Sequence, residues 1–197
     1  MSLILASGSE TRAKMLRDAG VDIEIQRPRV DEDEAKAAFR AEGASARDIA
    51  DALAQMKAMS VARRHRGALV LGADQTLALK ADQFDKPRDR AEARAQLRAL
   101  AGTTHHLYSA AVIVRDGEPL WRHVGTARLT MRPFTDAFLD DYLDRAGEAV
   151  FTTVGAYQLE GLGAQLFSRV DGDYFAVLGL PLLEILGFLR ARGRLIE

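Results

Sequence analysis

Two polar residues interrupt an otherwise apolar segment of the sequence. Leu69–Leu79, which reads LVLGADQTLAL, has the composition of a buried strand, yet Asp74 and Gln75 lie at its centre. An unpaired carboxylate in apolar surroundings is costly, so Asp74 must be solvated, paired or bound to a metal. Ligands of open α/β sheets bind beyond the carboxyl ends of strands, and the turn residues around Asp74 predict that it lies at such an end. Asp74 is therefore a candidate catalytic residue, although a carboxylate that caps a turn fits the same pattern.

Two lysines could supply positive charge to such a carboxylate. Lys57 lies on a predicted helix with Leu53 and Val61 one turn to either side, so it borders the buried face. Lys86 directly precedes Pro87, which restricts the backbone before it. Each lysine also has a simpler interpretation. Lys57 would extend from the edge of a core into solvent, and Lys86 would be a solvated loop residue.

The N-terminal segment ASGSETR has the composition of an anion-binding loop. Ser7 and Ser9 precede a predicted helix whose free N–H groups and dipole favour phosphate, and Arg12 adds a guanidinium in the first turn. Ser9 as an ordinary N-cap, with Arg12 on the surface, explains the same residues. Glu32 belongs to the acidic run VDEDE, for which a solvated loop is the simpler interpretation.

Several common catalytic motifs are absent from the sequence. It contains no G-x-x-x-x-G-K-[ST] loop, no H-E-x-x-H motif, no G-x-S-x-G elbow and no G-x-G-x-x-G that opens a helix. Its histidines lack metal-ligand spacing with acidic partners. Carboxylates with scattered cations remain, as expected where a divalent ion and basic side chains hold a polyphosphate while a carboxylate directs water.

Composition narrows the class of protein further. The chain has 197 residues, enough for one domain or for two lobes that share a sheet. It has no cysteine, which excludes disulfides and thiolate chemistry and suits a reducing cytoplasm. With 27 Lys plus Arg against 28 Asp plus Glu, no global charge attracts nucleic acid. The apolar start is too short for a signal peptide, and no segment has the roughly 18 apolar residues of a membrane helix. We therefore expect a soluble cytoplasmic protein.

Hydrophobic periodicity predicts the alternating elements that would position these residues. Strands are predicted at Leu3–Ala6, at Val21–Ile25, at Leu69–Leu79 with a break over Gly72–Gln75, and on both sides of a tight hairpin at Asp116-Gly117. Helices are predicted after Ser9, from Ala46 to about Arg64, after Asp89, from about Thr135 to Ala146 and from Pro181, whereas Arg27–Glu34 is predicted to be a loop. The alternation favours an α/β fold with a mixed sheet covered by helices.

Stretches along essentially the whole chain match one known family. They are, in order, LILASGSETRAKML, VDE, LAQMKAMSVA, LVLGADQTLAL, DKP, AGTTHHLYSA, GAYQLEGLGAQLF and GDYFAVLGLPL. In these stretches the sequence resembles the Maf family of nucleotide pyrophosphatases. The resemblance implies a single domain over residues 1–197, with an elongated twisted mixed sheet, flanking helices and two lobes around a central cleft, as in inosine triphosphate pyrophosphatases. It also implies a hydrolase that removes unwanted nucleotides by splitting a nucleoside triphosphate into the monophosphate and pyrophosphate, with Mg or Mn as cofactor.

The resemblance further implies roles for individual residues. Asp74 matches the family's catalytic carboxylate, the proton acceptor for the attacking water. Lys57 and Lys86 match lysines that neutralise phosphate charge. The remaining candidates are Arg12, Gln75 and Glu160 for nucleotide recognition, Ser7 and Ser9 for the phosphate loop, and Glu32 as a metal ligand or supporting acid.

The sequence leaves two substrate classes open, and it leaves a function without catalysis open as well. Gln75 and Glu160 resemble the branch that takes 7-methyl-GTP, and a buried Glu160 carboxylate would accept hydrogen bonds from the N1–H and amino groups of guanine. The stretch GAYQ resembles the branch that prefers dTTP and UTP. The first loop has Glu10 and Thr11 where the family has proline and arginine, so a nucleotide-binding regulator of cell division without turnover is the other alternative. The family also suggests a homodimer.

Overall fold

Seven strands form one mixed β-sheet within residues 3–196, the part of the chain that the computed structural model describes. The strands are β1 Leu3–Ala6, β2 Ile23–Ile25, β3 Val70–Leu79, β4 Asp82–Phe84, β5 Thr104–Arg115, β6 Glu118–Met131 and β7 Phe167–Asp171. Their order is β2-β1-β3-β5-β6-β7, and β4 also pairs with β3. β1 is parallel to β2 and β3, whereas β4 and β7 run antiparallel to their partners. The predicted mixed α/β fold is confirmed.

Helices alternate with these strands. They are α1 Glu10–Asp18, α2 Glu32–Ala41, α3 Ala46–Ala62, α4 Arg90–Leu100, α5 Asp136–Ala146, α6 Tyr174–Val177 and α7 Leu182–Ala191, with short 3-10 helices at Gly147–Phe151, Val154–Ala156 and Leu162–Leu166. Five of the helices begin at a side chain that accepts a hydrogen bond from the third N–H of the helix: Ser9, Asp31, Ser45, Asp89 and Thr135. None of the helices in the described residues is long and apolar enough to cross a membrane.

Two predictions of secondary structure are wrong. The break in the third strand is absent, because Gly72 and Asp74 lie inside the continuous strand β3. The loop predicted at Arg27–Glu34 contains the start of α2, for which Asp31 is the N-cap and the acidic residues form the first turn. Acidic side chains are favourable there because they face the positive end of the helix dipole. Helix α2 buries none of its residues completely, so it lacks the apolar stripe by which helices are recognised.

The hairpin prediction is confirmed. β5 and β6 are joined at Asp116 and Gly117, whose φ angles are 52° and 87°. Two consecutive positive φ angles are typical of the tight turn that matches the twist of two antiparallel strands. The Asp116 carboxylate also accepts a hydrogen bond from the Gly67 N–H at 2.6 Å.

The chain divides into two compact units. The first comprises the described residues of Met1–Gln75, Tyr108–Gly125 and Tyr174–Glu197. Its core forms two clusters on the opposite faces of its strands, because side chains alternate along a strand. Leu5, Leu71 and Ala73 pack in the cluster that includes residues of α1 and α7. Ile4, Ala6 and Val70 pack in the cluster that includes residues of α3.

The second unit comprises Thr76–Leu107 and Thr126–Asp173. Its helices α4 and α5 are joined by ion pairs between arginines and aspartates. His105 is fully buried, and its Nε2 lies 2.7 Å from the hydroxyl of Tyr157. The hydroxyl of Tyr142 donates to the carbonyl of Ala156 at 3.0 Å. These bonds connect β5 and α5 to the segment of short 3-10 helices that follows α5.

Candidate active site

Helix α3 packs unusually closely on strand β3 at Gly72. A Cβ atom on Gly72 would lie 2.0 Å from the carbonyl oxygen of Ala54 and 2.7 Å from the backbone nitrogen of Ala58, so only glycine permits this approach. Asp74 follows two residues later and therefore faces the same helix. Lys57 lies on α3 between the two alanines in sequence. The close packing thus brings an acidic and a basic side chain together within the first unit.

Asp74 and Lys57 form a buried ion pair that includes a second acid. Lys57 Nζ lies 2.6 Å from Asp74 Oδ1 and 2.8 Å from Glu32 Oε2. Asp74 and Lys57 are each only 5% exposed, whereas the Glu32 side chain is partly exposed. The interpretation of Lys57 as a lysine that extends into solvent is wrong. We call these three residues the acidic cluster, because they combine two carboxylates with one ammonium.

The second oxygen of Asp74 has no hydrogen-bond partner among residues 3–196. Oδ2 is buried and accepts no hydrogen bond within the described part of the chain. Leaving a buried charged acceptor unpaired costs free energy, which makes such an atom a marker for a bound water, ion or ligand. The prediction that Asp74 lies at the end of its own strand is wrong, because Asp74 lies inside β3. It does lie just beyond the end of the neighbouring strand β1, whose last paired residue, Ala6, is opposite Gly72. Ligand binding beyond the carboxyl end of a parallel strand therefore still describes its position.

The acidic cluster fits a hydrated divalent cation better than a fully coordinated one. Among residues 3–196, no group of three or more His, Cys, Asp or Glu residues is arranged to hold a metal. Mg²⁺ typically keeps several waters and binds through one or two carboxylates together with substrate phosphates. Asp74 Oδ2 and the Glu32 carboxylate could provide that number of ligands, so the residues fit a cation that is shared with a phosphate group.

The loop after β1 is held together by its own side chains. Ser9 is the N-cap of α1, as predicted, and its Oγ accepts from the Arg12 N–H at 3.4 Å. Ser7 is buried, and its Oγ accepts from the Ser9 N–H at 3.1 Å. The hydroxyls therefore shape the loop, and their predicted contact with phosphate stays a prediction.

Arg12 is built into the fold rather than lying on the surface. Its Nη1 donates to the carbonyl of Ala73 at 2.9 Å, and its Nε donates to the carbonyl of Gly179 at 2.8 Å. Burial lowers the pKa of the Arg12 guanidinium, while the carboxylates of Asp74 and Glu32 act in the opposite direction. Arg12 thus connects α1, β3 and the segment before α7, and it adds positive charge near the acidic cluster.

Gln75 is also occupied by bonds within the protein. Its Nε2 lies 2.9 Å from Ser109 Oγ. The same nitrogen lies 3.1 Å from the carbonyl oxygen of Ala176 and 3.0 Å from that of Val177. The two carbonyls can only accept, which fixes the amide with its nitrogen towards them. Ser109 is fully buried and donates to the Ala176 carbonyl at 2.6 Å. Gln75 therefore positions helix α6, and its predicted role in nucleotide recognition stays a prediction.

The other two candidates belong to the second unit. Lys86 is exposed in the segment between β4 and α4, and it is followed by the buried Pro87. Glu160 lies in a turn between two 3-10 helices and is exposed. The expectation of a buried Glu160 carboxylate is therefore wrong for this structure. The roles of both residues in binding stay predictions.

Two residues at this site, Gly72 and Ser109, are not among the site residues that the sequence predicts. Its position in the sequence predicts a turn at Gly72, whereas in the structure Gly72 permits the close approach of α3. Ser109 is a hydroxyl residue in the apolar stretch SAAVIV, and like Asp74 it needs a hydrogen-bond partner because it is a buried polar group.

The fold and the site define a mixed α/β protein in which a buried Asp74–Lys57 pair lies near Arg12 in the first turn of α1. A family model described as "Maf-like protein" matches residues 2–192. The chain therefore belongs to the Maf family.

Named relatives cover nearly the whole chain. A protein of Jannaschia sp. (strain CCS1) named "Nucleoside triphosphate pyrophosphatase 1" is 54% identical over 97% of this chain and 96% of its own length. A protein of Rhizobium meliloti named "7-methyl-GTP pyrophosphatase" is 50% identical over the same shares. Among solved structures, a nucleoside-triphosphatase / dITP/XTP pyrophosphatase from Mycobacterium abscessus covers 98% of this chain and 95% of that chain, with 16% identity and a TM-score of 0.42.

Proposed function

We propose that this protein is a nucleoside triphosphate pyrophosphatase, which hydrolyses its substrate to the nucleoside monophosphate and pyrophosphate. The unpartnered Asp74 Oδ2, on a carboxylate whose other oxygen is held by Lys57, carries the proposal. Relatives that are 50–54% identical over nearly their full length have names that describe this activity.

Asp74 acts as the proton acceptor in this proposal. Lys57 holds Oδ1 and thereby fixes the orientation of the carboxylate, so that Oδ2 can accept a hydrogen bond from a water molecule. As the water oxygen bonds to phosphorus and the phosphoanhydride bond breaks, Oδ2 takes the proton and the pyrophosphate leaves with the bonding electron pair. The Lys57 ammonium compensates the shift of negative charge. Burial strengthens both effects, because the surroundings screen charge less than water does.

A divalent cation, Mg²⁺ or Mn²⁺, is the proposed cofactor. When bound, it would neutralise phosphate charge and orient the polyphosphate. Glu32 would hold it from the protein side together with the substrate phosphates, which leaves Asp74 Oδ2 for the attacking water. A cation between the carboxylates and the triphosphate would reduce the repulsion between these negative groups.

A methylated guanine nucleotide is the proposed preferred substrate. The Rhizobium relative named for 7-methyl-GTP is 50% identical to this chain. An exposed Glu160 could still accept hydrogen bonds from guanine once a nucleotide covers it. UTP and dTTP are the alternative substrates.

The experiment measures products from a panel of nucleotides. The purified protein is incubated with 7-methyl-GTP, GTP, UTP or dTTP in the presence of Mg²⁺ or Mn²⁺, and the nucleotide products and pyrophosphate are separated by anion-exchange chromatography. We expect equal amounts of monophosphate and pyrophosphate, fastest from 7-methyl-GTP, and no product in EDTA. Faster turnover of UTP or dTTP would refute the guanine preference alone. Nucleotide binding without product would refute the activity and favour a regulator.

A further inference from the structure

The loop after β1 has little positive charge of its own to offer a phosphate group. Arg12 is the single basic residue of the stretch ASGSETR, and two of its nitrogens already donate to the carbonyls of Ala73 and Gly179. The exposed residues of the loop are Gly8, which has no side chain, and Glu10, which is acidic. If a triphosphate binds here, as the proposed function requires, a cation from another element must face the loop.

Arg27 lies over this loop. A Cβ atom on Gly8 would be 3.8 Å from Arg27 Nε, so the guanidinium lies next to Gly8 on the side where a side chain would project. The arginine itself is exposed, and its side chain makes no hydrogen bond or ion pair within residues 3–196. Its five N–H donors are therefore available to an anion at the loop.

The backbone around Arg27 is fixed although the side chain is exposed. The Gln26 N–H donates to the Leu5 carbonyl at 3.0 Å, which continues the pairing of β2 with β1. Two residues further on, the Arg29 N–H donates to Ser60 Oγ at 3.0 Å, which attaches the segment to α3. The following residue, Pro28, also restricts Arg27 to extended backbone conformations. A positioned backbone lowers the entropy that a bound anion would cost.

We propose that Arg27 binds the polyphosphate of the substrate at Gly8 and so supplies the cation that the loop lacks. Its planar guanidinium can donate two parallel hydrogen bonds to the oxygens of one phosphate group. The N–H groups at the start of α1 would face the same group from the other side of the loop. Since Arg27 makes no bond to the acidic cluster within the described residues, we expect it to contribute to binding rather than to the chemical step.

The test compares Arg27→Gln with Arg29→Gln. Arg29 is a matched control, because it is an exposed arginine in the same segment whose side chain has no bond in the described residues. With the nucleotide that wild type hydrolyses best, we expect Arg27→Gln to raise KM about five- to tenfold with kcat within twofold. Arg29→Gln should change KM by less than twofold, and Arg27→Lys, which keeps the charge but loses the paired donors, should lie between.

The outcomes separate this inference from the proposed function. Equal KM values for Arg27→Gln and Arg29→Gln, or a fall in kcat at unchanged KM, would overturn the role of Arg27 and leave the enzyme assignment intact. A wild-type protein that hydrolyses no triphosphate would overturn both. Circular dichroism of each variant checks that the fold is unchanged.

Discussion

Two groups of charged residues in this protein differ in their burial and in the balance of acidic and basic side chains. The acidic cluster of Lys57, Asp74 and Glu32 is largely buried and combines two carboxylates with one ammonium. In the second unit, α4 and α5 carry a ladder of arginines and aspartates, each at intervals of four residues, which places each set on one helix face. Its pairs, in antiparallel register, are Arg90 with Asp144, Arg94 with Asp140, and Arg98 with Asp136.

The two groups differ in how completely their carboxylates are paired. In the ladder, each carboxylate has its own guanidinium and the side chains are partly or largely exposed. Hydrogen bonds from Arg98 and Arg94 lower the pKa values of Asp136 and Asp140, which stay ionised and paired. In the acidic cluster, the buried Asp74 Oδ2 has no hydrogen-bond partner in the described part of the chain. This unpaired oxygen is the feature on which the proposed catalytic role of Asp74 depends.

The largest stability effect is expected from Lys57→Met, which leaves two carboxylates facing each other. Removing one partner of a buried pair costs about 3–5 kcal/mol, and turnover should be lost as well. Replacing both residues, in Lys57→Met with Asp74→Leu, should restore most of the stability without restoring activity. Urea unfolding measures the first effect and pyrophosphate release the second. A Lys57→Met protein as stable as wild type would remove the contrast with the ladder.

His105 extends the comparison to a buried group that is neutral. Burial and the neighbouring His106 lower the pKa of His105 to about 4, against 6.5 in an unfolded chain. The unfolded state therefore binds a proton first, and the free energy of unfolding should fall as the pH drops from about 6.5 to about 4. The total loss is about 3 kcal/mol. His105→Gln should flatten this part of the curve of stability against pH, whereas His65→Gln, which changes a histidine outside the core, should not.

Gly72→Ala tests how the acidic cluster is positioned. The new methyl group would meet the backbone of α3, so the helix must move away from β3. We expect a loss of about 2 kcal/mol in stability and a fall in turnover, because Lys57 and Asp74 separate. Gly187→Ala in α7 is the matched control, since a Cβ there meets no atom within 4 Å and alanine favours the helix. Unchanged turnover in Gly72→Ala would show that the close packing does not position the pair.

The smallest effect is expected in the ladder. Arg94→Gln should lower the urea midpoint slightly at low ionic strength and not at all in 1 M salt, because exposed pairs are screened. Activity should stay at the wild-type level. A salt-independent loss of stability would mean that the ladder behaves like a buried cluster.

The sequence predicts most of this architecture, because local signals determine it. The hairpin at Asp116-Gly117 and the capped starts of α1, α4 and α5 follow from turn chemistry and N-cap preference. Helix α2 lacks an apolar stripe, and its acidic first turn resembles a loop. Residue types alone therefore do not distinguish a helix from a loop in this segment.

The site is less predictable because its geometry depends on packing between distant segments. Asp74 stands out as a polar residue in an apolar stretch, and Lys57 as a lysine at the edge of a buried face. Their 2.6 Å contact depends on the approach of α3 at Gly72, for which a single sequence carries no signal. Arg12 donates to the carbonyl of Ala73, 61 residues away in the chain, and Gln75 donates to the carbonyl of Ala176, 101 residues away. No local pattern in the sequence indicates such partners.

Pyrophosphate release by wild type and Asp74→Asn, measured side by side with the same nucleotide and cation, tests the central claim most directly. Asparagine keeps the shape of the side chain and can still accept from Lys57, but it cannot take a proton from water. We predict that kcat falls by about 10²- to 10⁴-fold while circular dichroism stays the same. A purified, folded Asp74→Asn protein that turns over at the wild-type rate would contradict the account.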